Sequence, residues 1–523
     1  MFKRYLTNRF INIIILFQAQ FVSVMGDPLP EQTLQGSISG ILSKAHSPYY
    51  ALDHITVDDG DTLVIEPGVK ILFYPECKFY IGKGWMAEKI YPQLIAIGTG
   101  KDSIVFTALD PAKGWGGLQF NMSGSDDTLA CVVIKEIRAI QSHDSWSLTA
   151  GAISVLNSSP MIRNSTIRFN YVENTPLFNF FDYSSISPQA FDPCAPHLQN
   201  CVIQNNLCNE EETLGGPIFS SMQVTALLEN LLVVNNQMGH FITYGGATVQ
   251  AFINITVAQN KLHFNPFMGV LVSGSGNVMI LFKNSIIFNN DADFHSLFCG
   301  PENGDILQFE YSNIDTNLVN VYWNAQEQQW DSVRTVWKTR SEINWGEGNI
   351  VENPLFFNEI GSNFILSEGS PCVDAGDPQA VYDDVVDPDF PDWALFPAQG
   401  TMRNDMGAYG GKSDLPYSPG STDTEQQAHS ADQFVLGDNY PNPFNPETVI
   451  PYQLSKSSFV TLNIYNILGQ CVQTLIQRVQ KTGMHEALWD GNDSAGNPVG
   501  SGVYFYRIQA GDFSEVKKMV LIR

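Results

Sequence analysis

The sequence predicts an all-β protein: a long parallel coil followed by a small antiparallel sandwich. Three observations support this. One phrase (apolar, any, Asn, any, any, Ile or Val, any, any, Asn) recurs between Ile162 and Asn317. Ahead of it, short apolar runs are punctuated by Gly and Pro. From Phe434 onward, short strand-like runs alternate with turn residues at near-even spacing.

The copies of the phrase are Ile162-Asn164-Ile167-Asn170, Leu198-Asn200-Ile203-Asn206, Leu228-Asn230-Val233-Asn236, Phe252-Asn254-Val257-Asn260 and Phe282-Asn284-Ile287-Asn290. A last copy, Phe309-Tyr311-Ile314-Asn317, has Tyr in place of the first Asn. That first Asn advances by 36, 30, 24 and 30 residues (164 to 200, 230, 254 and 284). A fixed phrase on a wandering period means constant rungs joined by variable loops. The two apolar positions are an odd number of residues apart, so both point inward only if the chain bends between them. Asn stands at that bend and tolerates the left-handed conformation it needs. Stacked strands lie about 4.8 Å apart, within reach of an amide bonding to the next rung. The phrase therefore predicts a parallel β-helix with an Asn ladder on the first Asn and a second Asn ending each rung.

The chain has 523 residues and a formal net charge of −26, with 16% charged residues. A solenoid grows by stacking, so the length does not require many domains. The negative charge excludes nucleic acid as a partner, because phosphate binding needs a Lys/Arg footprint. Lys3, Arg4 and Arg9 precede an apolar run from Phe10 to Phe17, and small residues follow up to Gly26. Residues 1–26 read as an export signal. Gln18 and Gln20 interrupt the run, which leaves it short for a membrane span, with a retained anchor as the alternative. No later segment spans a bilayer. The eight cysteines lack CxxC spacing, which argues against zinc. Export permits disulfides, and two of Cys194, Cys201 and Cys208 either bridge across a loop or stay as buried thiols.

Residues 36–120 open the coil. Ile55–Val57, Thr62–Ile65, Lys70–Phe73, Leu94–Ile97 and Ile104–Phe106 alternate with Asp-Gly-Asp, Glu-Pro-Gly and Gly-Thr-Gly turns. Trp115–Phe120 and Ala130–Ile134 supply further rungs. The phrases GDTLVIEPGV and WGGLQF together resemble the start of bacterial right-handed parallel β-helix repeat proteins of the pectin-lyase-like fold. Between the central rungs, Tyr171–Pro196, Asn209–Gln223 and Gln237–Gln250 read as long excursions, with Glu210-Glu211-Glu212 as a solvated tip. Trp323, Trp330 and Trp337 fall seven apart, which suits one face of a short helix packed inward; a stacking platform for sugar rings is the alternative. The phrases SPCVDAG from Ser370 and RNDMGAYG from Arg403 resemble the terminal coils of the same proteins, where they close the solenoid. The coil is therefore assigned to 27–411.

Lys412 to Gln433 is rich in Ser, Pro, Gly, Thr, Asp and Gln and reads as a linker. Beyond it, Thr448–Leu454, Val460–Asn466, Glu486–Trp489, Gly502–Ala510 and Lys517–Ile522 read as the strands of a sandwich. The phrases NYPNPFNPET, LNIYNILGQ, WDGNDSAGNPVGSGVYFYRI and KKMVLIR resemble the C-terminal sorting domain of type IX secretion substrates. That domain is related to the immunoglobulin-like domain of flagellar hook-capping proteins. The resemblance covers nearly all of 434–523. It implies an immunoglobulin-like fold, export through outer-membrane secretion machinery and attachment at the surface of a Gram-negative bacterium.

The β-helix resemblance brings polysaccharide hydrolases and lyases into view, but fold alone does not give function. A lyase needs a base and a cation near the sugar carboxylate. Between Gly151 and Asn320 the cationic residues are Arg163, Arg168, Lys261 and Lys283, and each sits in or beside a rung. A hydrolase needs two carboxyls roughly 5–10 Å apart. Asp291 and Asp293, near His295, are the local candidates, and a solvated turn is the plainer use for them. Asp374, Asp377, Asp383, Asp384, Asp387, Asp389 and Asp405 form the one oxygen-rich group suited to calcium, although Asp in turns usually bonds its own backbone. Asp490-Gly-Asn492-Asp-Ser494 reads as a hairpin turn. The sequence therefore names no catalytic or cofactor-binding residue. The reading is a secreted or cell-surface β-helix protein that binds or scaffolds without catalysis, with carbohydrate as the candidate ligand. The alternative is a polysaccharide hydrolase or lyase on the same scaffold.

Overall fold

The computed structural model describes residues 32–523 apart from 84–89, 141–150, 185–192, 209–215, 247, 263–269, 276–277, 293–305, 316–318, 325–328, 335–342, 359–362, 368, 389, 416–433, 438, 440–441, 443, 481–482 and 512. The export signal, Glu210–Glu212, Asp293, His295, Cys299, Trp337, Asp389 and most of the linker lie outside the described residues.

The chain is all-β, with a parallel β-helix ahead of an immunoglobulin-like antiparallel sandwich. The parallel strands join into one 27-stranded sheet and a companion 6-stranded sheet of two- and three-residue strands. Each central rung has a lead strand before the first Asn and a flank strand after it. A short strand then follows the second Asn, and a return strand closes the turn. Lead positions Ile162, Leu198, Leu228, Phe252, Phe282 and Phe309 pair in register from rung to rung, with Trp345 beyond. Flank positions Ile167, Ile203, Val233, Val257, Ile287 and Ile314 do the same. All are buried except Trp345, which is half-buried. The Phe252 ring stacks on Phe282 at 4.8 Å, and Phe282 stacks on Phe309 at 5.3 Å. Phe252→Ala removes the start of that stack. It should lower unfolding free energy by about 3–5 kcal/mol, read from chemical denaturation of the full chain.

Asn164, Asn200, Asn230, Asn254 and Asn284 sit at φ between 51° and 53°, with Cys131 at 51° and Tyr311 at 47°. The predicted bend is thus where the odd spacing requires it. The continuous amide column is elsewhere, on the second Asn. Asn170 Nδ2 donates to Asn206 Oδ1 at 2.9 Å, Asn206 to Asn236 at 2.8 Å, Asn236 to Asn260 at 2.9 Å and Asn260 to Asn290 at 2.9 Å. A second left-handed bend just before these residues explains the placement. Glu136, Phe169, Asn205, Asn235, Gln259 and Asn289 have φ between 51° and 62°, which turns the next amide into the coil. On the first Asn the column is interrupted: Asn200 reaches Asn164 and Asn284 reaches Asn254, while Asn230 and Asn254 donate elsewhere.

The opening coils stack as expected: Thr62–Ile65 pairs with Gln93–Ile97, and Lys70–Phe73 with Ile104–Ala108. Trp115 is fully buried, its ring stacked 4.1 Å from Phe73. Gly117, at φ +99°, passes so close to the Ala152 carbonyl that a Cβ would meet it at 2.4 Å; hence the Trp-Gly-Gly phrase.

Three expectations are corrected. The stretches read as excursions contain short and return strands, among them Phe178–Phe181, Pro217–Met222 and His240–Gly245. These lack the Asn phrase, so their rung character was hidden. The tryptophan stretch is no helix. Val319–Asn324 and Gln329–Arg334 form an antiparallel hairpin with Trp323 opposite Trp330. Residues equidistant from a turn face each other, and a spacing of seven arises that way too.

The third correction concerns the phrases expected to close the solenoid, which instead lie along its flank. Asp377 N and Gly407 N both bond to Asn284. Asn254 Nδ2 donates to Asn404 Oδ1 at 3.0 Å, and Ala408 N to Thr256 Oγ1 at 2.9 Å. Asn230 Nδ2 donates to the Gly410 carbonyl at 2.6 Å, and Asp414 N to Asn200 Oδ1 at 3.1 Å. The chain therefore runs backward over successive rungs as a strap. Beneath it, Val202, Leu232, Val234, Ala258 and Ile286 form a second core with Phe356, Phe364, Met406, Ala408, Tyr409 and Leu415. These rungs are apolar on both faces of the flank strand, so the outer face needs a cover.

The C-terminal sandwich has a three-stranded sheet (Val435–Leu436, Thr448–Leu454, Gly483–Trp489) and a four-stranded one (Cys471–Gln480, Ser458–Asn466, Gly502–Ala510, Phe513–Leu521). Trp489, Tyr452 and Tyr506 fill its core. Cys471–Gln480 had no counterpart in the sequence reading, because as an edge strand it is half-buried at best and shows no alternation.

Candidate functional site

Where return strands turn into lead strands, the backbone makes tight corners. Met122 and Asn157 have φ of 55° and 45°, and Gly124 has φ +82°. Two such corners, with Tyr91–Gln93 on one side and Pro193 on the other, enclose a cavity of about 400 Å³. It is lined by Thr62, Tyr91, Pro92, Gln93, Ser123, Gly124, Ser125, Asp126, Asn157, Ser159 and Pro193. Gly124 is required there, since a Cβ would come within 3.0 Å of the Tyr91 ring.

Hydrogen bonds hold the walls. Ser123 N donates to Ser158 Oγ at 2.9 Å, and Ser159 N to the Gly124 carbonyl at 2.7 Å. Asn157 Nδ2 donates to Asp182 Oδ1 at 2.9 Å, and Asn157 Oδ1 accepts from Tyr183 N at 3.1 Å. Ser159 Oγ donates to the Pro193 carbonyl at 3.1 Å and accepts from Ala195 N at 3.0 Å. Ser123 is fully buried, with its hydroxyl turned toward the Asp127 carboxyl. Beside it, Asp127 Oδ1 accepts from Leu94 N at 2.7 Å. Burial, helped by the Asp126 charge, pushes the Asp127 carboxyl up to about 7 against the nearby Ser123 hydroxyl and the Leu94 N–H. Met122, Leu156 and Phe181 form a small buried apolar cluster of their own, with Tyr183 4.6 Å from the Phe181 ring. The sequence reading missed this site. Its signal is slight: a Ser-Gly-Ser-Asp-Asp turn after WGGLQF and an Asn-Ser-Ser-Pro turn one rung later.

The acidic residues considered for calcium belong to the strap. Asp405 Oδ1 and Oδ2 accept from Asp374 N and Gln399 N at 2.8 and 2.7 Å. Asp384 accepts from Asp405 N at 3.2 Å and from Gly411 N. Asp374 accepts from Thr401 N and Oγ1, and Asp377 from Gln379 N. These carboxylates order loop backbone. Among the described residues no group of three or more His, Cys, Asp or Glu is arranged to hold a metal ion. Lys283 Nζ lies 2.5 Å from Asp377 Oδ2 and 3.2 Å from Glu310 Oε2, above the Tyr382 ring at 4.7 Å. Burial lowers the affinity of Lys283 for its proton, but those two hydrogen bonds outweigh it and hold its pKa above the ordinary value.

Burial is also the main force raising the Asp384 and Asp405 carboxyls well above the usual range, with neighbouring acidic charges adding to it. A carboxyl with a raised folded-state pKa binds its proton more tightly folded than unfolded. The stability it contributes is therefore full below the ordinary carboxyl pKa and is lost progressively as pH rises from there to the folded value. Strap amides should exchange faster at pH 9 than at pH 5 after correction for intrinsic rates, and Asp384→Asn should flatten that dependence.

Asp291 opens a two-residue short strand, away from the cavity lining. The Asp490–Ser494 turn is a hairpin turn whose carboxylates bond their own backbone. Cys194, Cys201 and Cys208, and the other described cysteines, keep their thiols, so the buried-thiol alternative holds among the described residues. Among those residues no helix is long and apolar enough to cross a membrane.

Residues 445–512 match the family described as the FlgD Ig-like domain. No curated protein matches the chain. Three solved structures resemble parts of it. Dimeric latent PorU from Porphyromonas gingivalis shares 22% identity over 17% of this chain and 9% of that one, at a TM-score of 0.15. PorZ, described as a surface component of the type IX secretion system of the same bacterium, shares 19% over 24% and 14%, at 0.14. The enzymatically active domain of bacteriophage CBA120 tailspike protein 4 shares 9% over 88% and 64%, at 0.23. The chain thus spans less than two thirds of each, and likenesses this slight carry no argument.

Proposed function

We propose that this is an exported, surface-associated protein that binds glycans without transforming them. Its C-terminal domain delivers it through a type IX system, and its solenoid, of pectin-lyase-like type, presents the binding face. The observation that carries this reading is the tail. A FlgD Ig-like match over 445–512 lies within a stretch whose phrases resemble sorting domains. The N-terminal export signal read at 1–26 agrees with it.

The absence of catalysis is supported by the fate of the perturbed acids. Asp127, Asp384 and Asp405 are each at most 3% exposed and accept hydrogen bonds from backbone N–H groups. General acid–base work needs a carboxyl within reach of substrate. Export is tested in a Gram-negative host that carries the secretion system. Full-length chain should reach the surface or medium, and a chain lacking 434–523 should stay in the periplasm. Equal export of both would remove the tail from the account. Incubating the full chain with a polysaccharide panel should release no reducing ends, and their appearance would make it an enzyme.

A further inference from the structure

We propose that one end of the outer face of the C-terminal sandwich, around Ile467 and Leu468, docks into an apolar, weakly charged groove on a protein of the export machinery. This deepens the reading that residues 434–523 direct export, and rests on it. The chain enters a turn from Ser458–Asn466 and leaves it into Cys471–Gln480. Turns of this kind are normally polar. Here Ile467 and Leu468 are 71% and 77% exposed, the highest values for large apolar side chains among the described residues. The turn holds them firmly. Gly469 N donates to the Asn466 carbonyl at 3.0 Å, and Leu468 N and Gln470 N each donate to Asn466 Oδ1 at 3.0 Å. Asn466 Nδ2 donates to Gln470 Oε1 at 2.8 Å. A backbone tied this closely has little freedom left to lose on binding.

The sheet beside the turn continues the patch. Ile464, Tyr504, Tyr506, Met519 and Leu521 belong to the sandwich core, so strand alternation turns their neighbours outward. Tyr465 pairs with Phe505, Phe505 with Lys518, and Val503 with Val520. The pairing of Asn466 with Tyr504 brings the turn to this same end of the sheet. Val503 is exposed, and Tyr465, Phe505 and Val520 are half-buried. Together they form a shallow apolar surface behind the projecting tip. Aromatic and aliphatic anchors of this kind carry most of the binding energy between proteins. Charge selects the partner. Residues 434–523 hold seven Lys or Arg and seven Asp or Glu, so the formal charge of −26 lies wholly ahead of them. A second copy would bring another −26 with it, which opposes self-association. An anionic membrane surface asks for a cluster of Lys and Arg. These rows hold Lys518 alone. The acidic Asp490–Ser494 turn is tied in next to them, with Ser494 N donating to the Val472 carbonyl at 3.0 Å. An apolar groove on a protein fits both the neutral domain and its projecting tip.

Export of the full chain is measured in a Gram-negative host that carries the secretion system, with the melting temperature of each purified variant as the check on folding. Ile467→Ser combined with Leu468→Ser should melt as the parent does, because neither side chain is packed. Its level at the surface or in the medium should nevertheless fall about tenfold, with the chain collecting in the periplasm. Phe459→Ser combined with Val479→Ser, an exposed pair at the far end of the same sheet, should be exported as the parent is. A photocrosslinking side chain at position 468 should capture a protein of the export machinery, identified by mass spectrometry. Normal export of the first variant, while a chain lacking 434–523 stays in the periplasm, would overturn this surface and leave the role of the tail standing. Equal loss in both double variants would also overturn it, since this end of the sheet would then hold no preference. Capture of a second copy, or of lipid alone, would overturn the protein partner. Export of the chain lacking 434–523 would remove the role of the tail and this surface together.

Discussion

A chain ending at Gly369 is expected to bind a hydrophobic dye and aggregate, whereas one ending at Leu415 should keep a soluble, fully folded solenoid. The difference is the strap. Without it, Val202, Leu232, Val234, Ala258 and Ile286, all at most 7% exposed in the intact chain, face water. Re-exposing Val202, Leu232 and Ile286 alone costs roughly 5–9 kcal/mol as an upper bound. The outward amides of Asn230 and Asn254 lose their acceptors at the same time. Size-exclusion chromatography with dye fluorescence on both truncations checks this; equal behaviour would mean that the flank needs no cover.

Asp377→Ala is expected to cost about 3–5 kcal/mol, because it leaves a buried lysine short of its partner. Asp377 is 1% exposed, and Lys283 is little more exposed. The remaining contact, Glu310 at 3.2 Å, lies on the next lead strand rather than on the strap. Lys283→Met should cost a comparable amount, since it strands the Asp377 carboxylate. The double change Lys283→Met with Asp377→Leu should recover most of the loss, because an apolar pair of similar volume replaces a buried ion pair at little net cost. Thermal melts of the four proteins close the cycle. Additive losses would show that the two side chains do not act together.

Much of this architecture was legible in the sequence, and the reasons are local. Asn at a left-handed bend and apolar residues on a fixed odd spacing leave a mark that repeats from rung to rung. The five residues Asn164, Asn200, Asn230, Asn254 and Asn284, with Tyr311 in the sixth copy, therefore place six rungs. The tail strands were legible from alternation and Gly-Asn-Pro turns. The return strands were not, since FNFF and PIFSSM carry neither bend nor alternation. The strap was half legible. Its phrases were recognised, but their place was not, because nothing in SPCVDAG says which surface it meets. The clue lay in Leu231-Leu232-Val233-Val234, apolar on both faces of one strand and so in need of a partner outside the coil. The cavity left least trace. Its walls come from corners a full rung or more apart in sequence.

The claim on which the rest turns is that residues 404–415 lie hydrogen-bonded along the rungs of Asn284, Asn254, Asn230 and Asn200. Amide hydrogen exchange on the full chain tests it most directly. Gly407, Ala408 and Asp414 donate to Asn284 O, Thr256 Oγ1 and Asn200 Oδ1. Their amides should therefore exchange on the slow timescale of the neighbouring flank strands, far behind those of an exposed loop. Exchange of all three at the rate of an unstructured peptide would contradict the account.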